Sequence, residues 1–143
     1  MAIKVFYTAR AVATGGRNGH TQSDDGIVSV NLSIPKAMGG PGKEATTTPE
    51  HLFAAGYAAC FGSACEFMSY QLRLIPKTIE VKSAVGIGQT EDGDFGLVVD
   101  LDVKIEGLSQ EDAEKVVAAG HKACPYSKAI KGNVDVTIKV VTI

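Results

Sequence analysis

Three cysteines are the side chains of this 143-residue chain with the greatest capacity for chemistry. Cys60 and Cys65 lie in an uncharged, mostly apolar run, LFAAGYAACFGSAC (52–65), and Cys124 directly precedes Pro125. An odd number of cysteines argues against a structural disulfide framework. The candidate roles are therefore reactive thiol, metal ligand or simple core packing.

The run 52–65 is typical of a buried helix, because its 14 residues fall short of the roughly 20 that cross a bilayer. A free cysteine in such a helix often behaves as a small hydrophobic residue. Cys65 lies about 140° around the helix from Cys60, so the two thiols point apart and a direct disulfide is not expected. We expect Cys65 to be core, whereas for Cys60 the residues alone leave packing and reactivity open.

Cys124 is in a different setting, at the predicted N-cap of a short helix that opens with Pro125. Helix dipole and free N–H groups stabilise a thiolate there, and Lys122 and Lys128 add positive charge. The alternative is a turn residue without chemistry. His121 and Cys124 also have a spacing that two zinc ligands on a helix could share, but no convincing set of four ligands accompanies them.

Composition excludes several classes of function. Apolar residues make up 45% and charged residues 21%, and the formal net charge is -2. No basic patch for nucleic acid or for an anionic membrane is present. The N-terminal sequence lacks the apolar segment of a signal peptide, so we expect a cytoplasmic protein with one domain over 1–143.

The elements that position the cysteines follow from periodicity and from turn residues. Thr48 is a predicted N-cap, Pro49 suits the first helical position, and Glu50 complements the positive end of the helix dipole. Ser109 begins a capping-box pattern, and the Asp92-Gly93 pair predicts a hairpin. The pattern predicts strands over 3–12, 27–34, 78–90, 96–106 and 134–141, helices over 49–74, 109–124 and 125–132, a turn over 15–19 and a loop over 35–47. This order indicates an α+β fold whose long apolar central helix must be covered by two sheets.

Two long motifs, TPEHLFAAGYAACF (48–61) and HKACPYSKAIKGNVDV (121–136), resemble the cysteine motifs of the OsmC-like proteins. The motifs TGGRNG (14–19) and CPYSKA…GNVDV resemble those of one branch of this family, the organic hydroperoxide resistance (Ohr) proteins. The resemblance implies an OsmC-like fold of two antiparallel sheet halves around long central helices, in an intertwined homodimer. It also implies a thiol peroxidase that binds no cofactor or metal and is recycled by a dithiol, commonly a lipoyl group on a protein.

The resemblance assigns roles to four residues: Cys60 matches the peroxidatic cysteine, Cys124 the resolving cysteine, Arg17 the active-site arginine and Glu50 the acid that orients it. These roles are physically reasonable. A thiolate in an apolar helix needs a cation, guanidinium stays charged when desolvated, and its burial needs a counter-ion. The family pattern assigns no role to Cys65. Thr48 differs from the residue that is usual in the family at this position, but both are good helix caps.

Glu50 and Cys60 are ten positions apart, or about 15 Å along one helix, so they cannot share a site within a straight helix. We therefore expect Glu50, and with it Arg17, to reach Cys60 of a second copy. A set of apolar side chains is expected to form a pocket for alkyl or fatty-acid hydroperoxides, although each could equally be core: Phe53, Tyr57, Phe61, Phe67, Met68 and Tyr126. The alternatives are an OsmC-branch peroxidase of broader range, a non-catalytic dimer that binds an apolar ligand, and a metal-binding module.

Overall fold

A computed structural model describes residues 2–143 of the protein. The chain divides into two compact units, one ending at Leu52 and the other spanning Phe53–Ile143. The boundary falls inside a long helix, α1, which covers Pro49–Leu72.

The first unit contains a small antiparallel sheet of three strands in sequential order. These strands are β1 (Ala11–Thr14), β2 (His20–Ser23) and β3 (Ser29–Asn31). A 3-10 turn, Gly16–Asn18, joins β1 to β2, and a second one, Lys36–Met38, interrupts the predicted loop over 35–47. The predicted turn over 15–19 is thus confirmed.

The prediction of a strand over 3–12 is wrong for most of its length. Pairing begins at Ala11, and residues 3–10 belong to no strand. Ile3, Phe6 and Tyr7 are more than 80% exposed in the single chain. An extended apolar segment becomes a strand only when it pairs with another strand. Within residues 2–143 of one copy, no strand pairs with this segment.

Two further differences concern the other two strands of this sheet. The sequence HTQS of β2 was not predicted as a strand, because its polar residues show no apolar alternation. The strand predicted over 27–34 is shorter, since only Ser29–Asn31 is paired as β3, with Leu32 forming an isolated bridge to Thr47.

Helix α1 begins as its sequence predicts. The Thr48 hydroxyl accepts a hydrogen bond from the backbone N–H of His51 at 3.2 Å, and Pro49 is the first helical residue. The helix ends at Leu72, two residues before the predicted end. Arg73 adopts a left-handed conformation (φ 57°), and the Leu74 N–H bonds back to the Ser69 carbonyl at 2.9 Å.

The second unit holds a three-stranded sheet in the order β4 (Thr78–Gln89), β5 (Phe95–Glu106), β6 (Asp135–Thr142). Strands β4 and β5 form the predicted antiparallel hairpin, but β6 pairs parallel to β5. The expectation of two antiparallel halves is therefore wrong for this sheet. The helical crossover between β5 and β6 brings the chain back to the same end of the sheet, which makes the pair parallel.

That crossover consists of α2 (Gln110–Ala123) and α3 (Pro125–Ile130). The Ser109 hydroxyl caps α2 by accepting from the Asp112 N–H at 3.1 Å, as predicted. Helix α1, strand β5 and helix α2 contribute most of the core of this unit, which consists of Tyr57, Phe61, Cys65, Val99, Leu101, Val103, Ile105, Ala113, Val116, Val117 and Cys124. Within residues 2–143, none of the helices combines the length and the apolar character needed to cross a membrane.

Replacing Gly120 with alanine is expected to destabilise the protein. A Cβ at this position would lie 2.5 Å from the Cys65 sulfur and 3.0 Å from its Cα, so α2 would have to move away from α1. We expect an overpacking cost of about 1–3 kcal/mol, which exceeds the gain of roughly 1 kcal/mol from alanine's better helix propensity. Urea unfolding at fixed protein concentration measures the change.

Gly62→Ala is the matched control for this prediction. Its added Cβ meets only Val81 Cγ2 at 3.6 Å, an ordinary contact, so we expect an unchanged or higher unfolding midpoint. Equal midpoints for the Gly120→Ala protein and the wild type would contradict the close packing of α1 and α2.

Candidate active site

Arg17 and Glu50 form an ion pair in the first unit. Arg17 Nη1 donates to Glu50 Oε2 at 3.0 Å, and Nη2 lies 2.7 Å from Oε1. The side chains are 33% and 11% exposed, so the pair is better shielded from water than an ordinary surface salt bridge. The structure thus places the Arg17 guanidinium against the Glu50 carboxylate, the two groups that the family resemblance pairs.

The turn that presents Arg17 depends on its glycines. Gly15 and Gly16 have φ values of 80° and 56°, a region that other residues rarely adopt. A Cβ on Gly19 would collide with the Thr14 carbonyl oxygen. The Asn18 carboxamide oxygen accepts from the Ile34 N–H at 3.0 Å and holds the turn against the following segment. The sequence TGGRNG thus specifies a rigid support for one arginine.

Each member of the pair stabilises the charge of the other. The hydrogen bond from Arg17 holds the pKa of the Glu50 carboxyl below its ordinary value. The same hydrogen bond raises the pKa of the Arg17 guanidinium. Both groups are therefore ionised at neutral pH, and the two contacts make the pair bidentate.

The second unit brings Cys60 and Cys124 together. Their sulfur atoms lie 3.6 Å apart, and all three cysteines are free thiols. Cys60 is half-buried on α1, whereas Cys124 is fully buried at the N-cap of α3. A disulfide requires a separation of about 2.05 Å, so a closing movement of roughly 1.5 Å would join them.

The surroundings of Cys60 oppose ionisation. Burial raises the pKa of the Cys60 thiol, the Tyr126 backbone N–H opposes that rise, and Cys124 adds to it. Tyr126 lies in the first turn of α3, so an N–H of this helix acts on Cys60, whereas the side chain of the cap residue Cys124 accepts no capping hydrogen bond. Sequence reasoning assigned this end of the helix to Cys124 alone, because the packing of α3 against α1 is a tertiary contact.

Cys65 has the core role expected from the sequence. It is fully buried against Gly120 of α2. Burial raises its pKa to about 12, so it remains a neutral thiol at physiological pH.

Four of the six predicted pocket residues form one aromatic cluster. Phe53 packs edge-on against Tyr57 with ring centres 5.8 Å apart, and Tyr126 lies 5.9 Å from both rings. Phe61 extends the cluster from Tyr57 at 6.2 Å. Tyr57 and Phe61 are fully buried core residues, Met68 is half-buried, and Phe67 is 61% exposed and outside the cluster.

A buried polar chain that sequence reasoning missed joins the three helices. The Tyr57 hydroxyl and the Ser127 hydroxyl are 2.5 Å apart, and His121 Nδ1 lies 2.9 Å from the same Ser127 oxygen. His121 is thus engaged by a serine. Within residues 2–143, no three His, Cys, Asp or Glu side chains are grouped so as to hold a metal ion, so the zinc alternative gains no support.

The lysines near Cys124 flank a cavity of about 560 Å³. Helices α2 and α3 and the start of β6 form its walls. Its lining combines basic and apolar side chains, from Ala118, His121, Lys122, Ser127, Lys128, Ile130, Lys131, Gly132, Val134, Asp135 and Val136. The predicted aromatic pocket residues are not part of this lining.

Comparison with known proteins identifies the family. The model of the OsmC-like protein family matches residues 40–139. An organic hydroperoxide resistance protein of Xanthomonas axonopodis pv. citri is 46% identical over 136 residues, covering 94% of each chain. The protein therefore belongs to the OsmC-like family, in its organic hydroperoxide resistance branch.

Solved structures agree with this placement. The organic hydroperoxide resistance protein of Elizabethkingia anophelis superposes with a TM-score of 0.91 at 42% identity, over 99% of this chain and 100% of that one. The crystal structure of OhrB of Bacillus subtilis gives a TM-score of 0.87 at 42% identity, over 95% and 99% of the two chains. The fold is α+β and OsmC-like, as expected.

Proposed function

We propose that the protein is a thiol peroxidase that reduces organic hydroperoxides to alcohols. The observation that carries the proposal is the 3.6 Å separation between the half-buried Cys60 sulfur and the buried Cys124 sulfur. Relatives from Xanthomonas axonopodis pv. citri and Bacillus subtilis support it, since both are named organic hydroperoxide resistance proteins. The odd, unpaired set of thiols favours a reducing compartment, which we propose to be the cytoplasm.

The proposed cycle has three steps. Cys60 thiolate attacks one peroxide oxygen, the O–O bond breaks, and the departing alkoxide takes up a proton to become the alcohol. The Cys124 sulfur then attacks the sulfur of the Cys60 sulfenic acid, a disulfide forms, and hydroxide leaves with the thiol proton as water. A dithiol, which we propose to be a dihydrolipoyl group on a partner protein, restores both thiols and becomes a disulfide itself.

The proposal assigns Arg17 to the thiolate and the peroxide, and Glu50 to the orientation of Arg17. Burial disfavours the Cys60 thiolate, so a cation near it would favour ionisation. The ion pair with Glu50 keeps the guanidinium oriented and compensates its charge. Because Glu50 and Cys60 are separated by ten positions of α1, we assign the pair to Cys60 of a second copy in a homodimer.

The exposed N-terminal segment supports the homodimer. Ile3, Val5, Phe6 and Tyr7 are each at least 67% exposed in the single chain. Contiguous apolar side chains of this kind are characteristic of a protein interface. A monomeric variant that kept full peroxidase activity would contradict the assignment of Arg17 and Glu50 across the dimer.

The apolar environment of Cys60 favours alkyl or fatty-acid hydroperoxides over hydrogen peroxide. The aromatic cluster of Phe53, Tyr57, Phe61 and Tyr126 is the proposed source of the pocket, with Phe67 and Met68 as its further predicted members. An OsmC-branch enzyme of broader range would instead consume the two classes of peroxide at similar rates. Comparing initial rates with cumene hydroperoxide and hydrogen peroxide distinguishes an enzyme selective for organic hydroperoxides from one of broader range.

One equivalent of cumene hydroperoxide is expected to convert the reduced protein to a Cys60–Cys124 disulfide, a loss of two hydrogen atoms. In Cys124→Ser we expect Cys60 to gain one oxygen as sulfenic acid, and further oxygens with excess peroxide. Intact mass and peptide mapping measure both outcomes. Unchanged masses in both proteins would rule out the peroxidase and leave a passive apolar-ligand-binding dimer.

A further inference from the structure

Helix α3 carries two groups that act on Cys60. Cys124, whose sulfur is 3.6 Å from that of Cys60, is its N-cap, and the Tyr126 N–H in its first turn is directed at the Cys60 thiol. The placement of this one helix therefore sets the distance between the two sulfurs.

A helix this short cannot fix its own position. It has six residues, and its N-cap makes no side-chain hydrogen bond. Isolated helices of this length are not stable in water, so tertiary contacts must hold it. Ser127 is the buried residue of α3, at 4% exposure.

The Ser127 hydroxyl is the junction of the buried polar chain. It lies 2.5 Å from the Tyr57 hydroxyl of α1 and 2.9 Å from His121 Nδ1 of α2. The chain is satisfied when Tyr57 donates to Ser127 and Ser127 donates to His121. Burial raises the pKa of the Tyr57 phenol, which keeps this donor protonated. Buried hydrogen bonds between elements are directional, and loss of one partner leaves the other unsatisfied.

We propose that Ser127 is a positioning residue that fixes Cys124 against Cys60 for disulfide formation. This inference rests on the proposed function. In that step Cys124 sulfur bonds to Cys60 sulfur, the Cys60 S–O bond breaks, and hydroxide leaves as water with the Cys124 proton. Cys60 is thereby reduced from sulfenic acid, and Cys124 is oxidised by the same amount. Anchoring by Tyr57 and His121 keeps the two sulfurs within the short approach that this reaction needs.

The test measures how the Cys60 sulfenic acid partitions between disulfide and over-oxidation. Reduced protein is treated with increasing cumene hydroperoxide, and mass analysis gives the ratio of Cys60–Cys124 disulfide to Cys60 sulfinic acid. Misplacing reacting atoms by about 1 Å can slow a reaction by up to 100-fold. We expect Ser127→Ala to lower the peroxide concentration that over-oxidises half of Cys60 by about tenfold or more.

Ser69→Ala is the matched control. Ser69 is also a buried serine, but its hydroxyl bonds to the Glu66 carbonyl within α1 at 2.6 Å. We expect the Ser69→Ala protein to give the same ratio of Cys60–Cys124 disulfide to Cys60 sulfinic acid as the wild type. Tyr57→Phe removes one hydroxyl without changing the ring, so it serves if Ser127→Ala does not fold, and it should shift the partition in the same direction.

A wild-type partition in folded Ser127→Ala and Tyr57→Phe would overturn this inference. Failure of the proposed function gives a different result, because the wild type itself would then form no Cys60–Cys124 disulfide.

Discussion

Replacing Cys60 with serine is expected to abolish the consumption of organic hydroperoxide, leaving only the uncatalysed rate. A serine hydroxyl stays protonated at neutral pH and is a poor nucleophile without a base beside it. It also cannot form the sulfenic acid through which the oxygen atom is carried. Following cumene hydroperoxide in the presence of a dithiol measures the loss.

Cys65→Ala is the matched control for that loss. Cys65 lies five residues further along α1, is fully buried and is held neutral by its high pKa. We expect its peroxide consumption to equal that of the wild type. Equal rates of peroxide consumption by Cys60→Ser and the wild type would mean that the thiol pair is passive. That result would favour the alternative of a non-catalytic dimer that binds an apolar ligand.

The different environments of the two α1 thiols explain why only one is assigned chemistry. Cys65 packs against Gly120 and is fully buried, so its sulfur has no access to solvent. Cys60 retains partial exposure, a neighbouring sulfur and an N–H donor. Their separation of 140° around the helix follows from sequence spacing alone, and it correctly predicts that the two thiols have different surroundings.

The parts of the structure that the sequence predicted are those determined by local interactions. Thr48 and Ser109 cap helices because their hydroxyls satisfy N–H groups three residues away. The Asp92-Gly93 turn likewise defines the β4–β5 hairpin, since Gly93 adopts a φ of 86°. Each of these signals is complete within a few residues of sequence.

The features that sequence reasoning missed depend on partners far along the chain. The polar strand β2 exists because both β1 and β3 pair with it. The hydrogen bond between Tyr57 and Ser127 spans 70 positions and leaves no periodic trace. That Cys60 and Cys124 act together was predicted only from the family resemblance. The spacing of two residues 64 positions apart does not by itself indicate that they are close in space.

The ion pair of Arg17 and Glu50 is the proposed source of the positive charge that a buried Cys60 thiolate needs. Burial raises the pKa of Cys60, and the Tyr126 N–H is a single neutral donor against that rise. A full positive charge stabilises a thiolate more strongly than one amide dipole does. If Arg17 supplies that charge, the proportion of thiolate at a given pH depends on it.

Arg17→Met is therefore expected to slow peroxide reduction at pH 7 by on the order of 100-fold, the usual cost of losing one preorganised charge-stabilising group. The sign of its pH effect follows from the charge. Without the cation the Cys60 pKa rises, so the midpoint of iodoacetamide alkylation at Cys60 moves to higher pH and activity recovers partly in alkaline buffer. Arg73→Met, which removes an exposed arginine, should leave rate and midpoint unchanged.

Glu50→Gln distinguishes orientation from charge in the same assay. It leaves the Arg17 charge in place but removes the carboxylate that both guanidinium nitrogens contact. We expect a smaller shift of the alkylation midpoint than in Arg17→Met, together with a clear loss of rate, because the cation persists but is no longer held in one orientation. An alkylation midpoint that did not move in Arg17→Met would show that the Cys60 thiolate is stabilised without Arg17, and the Tyr126 N–H would then be its principal support.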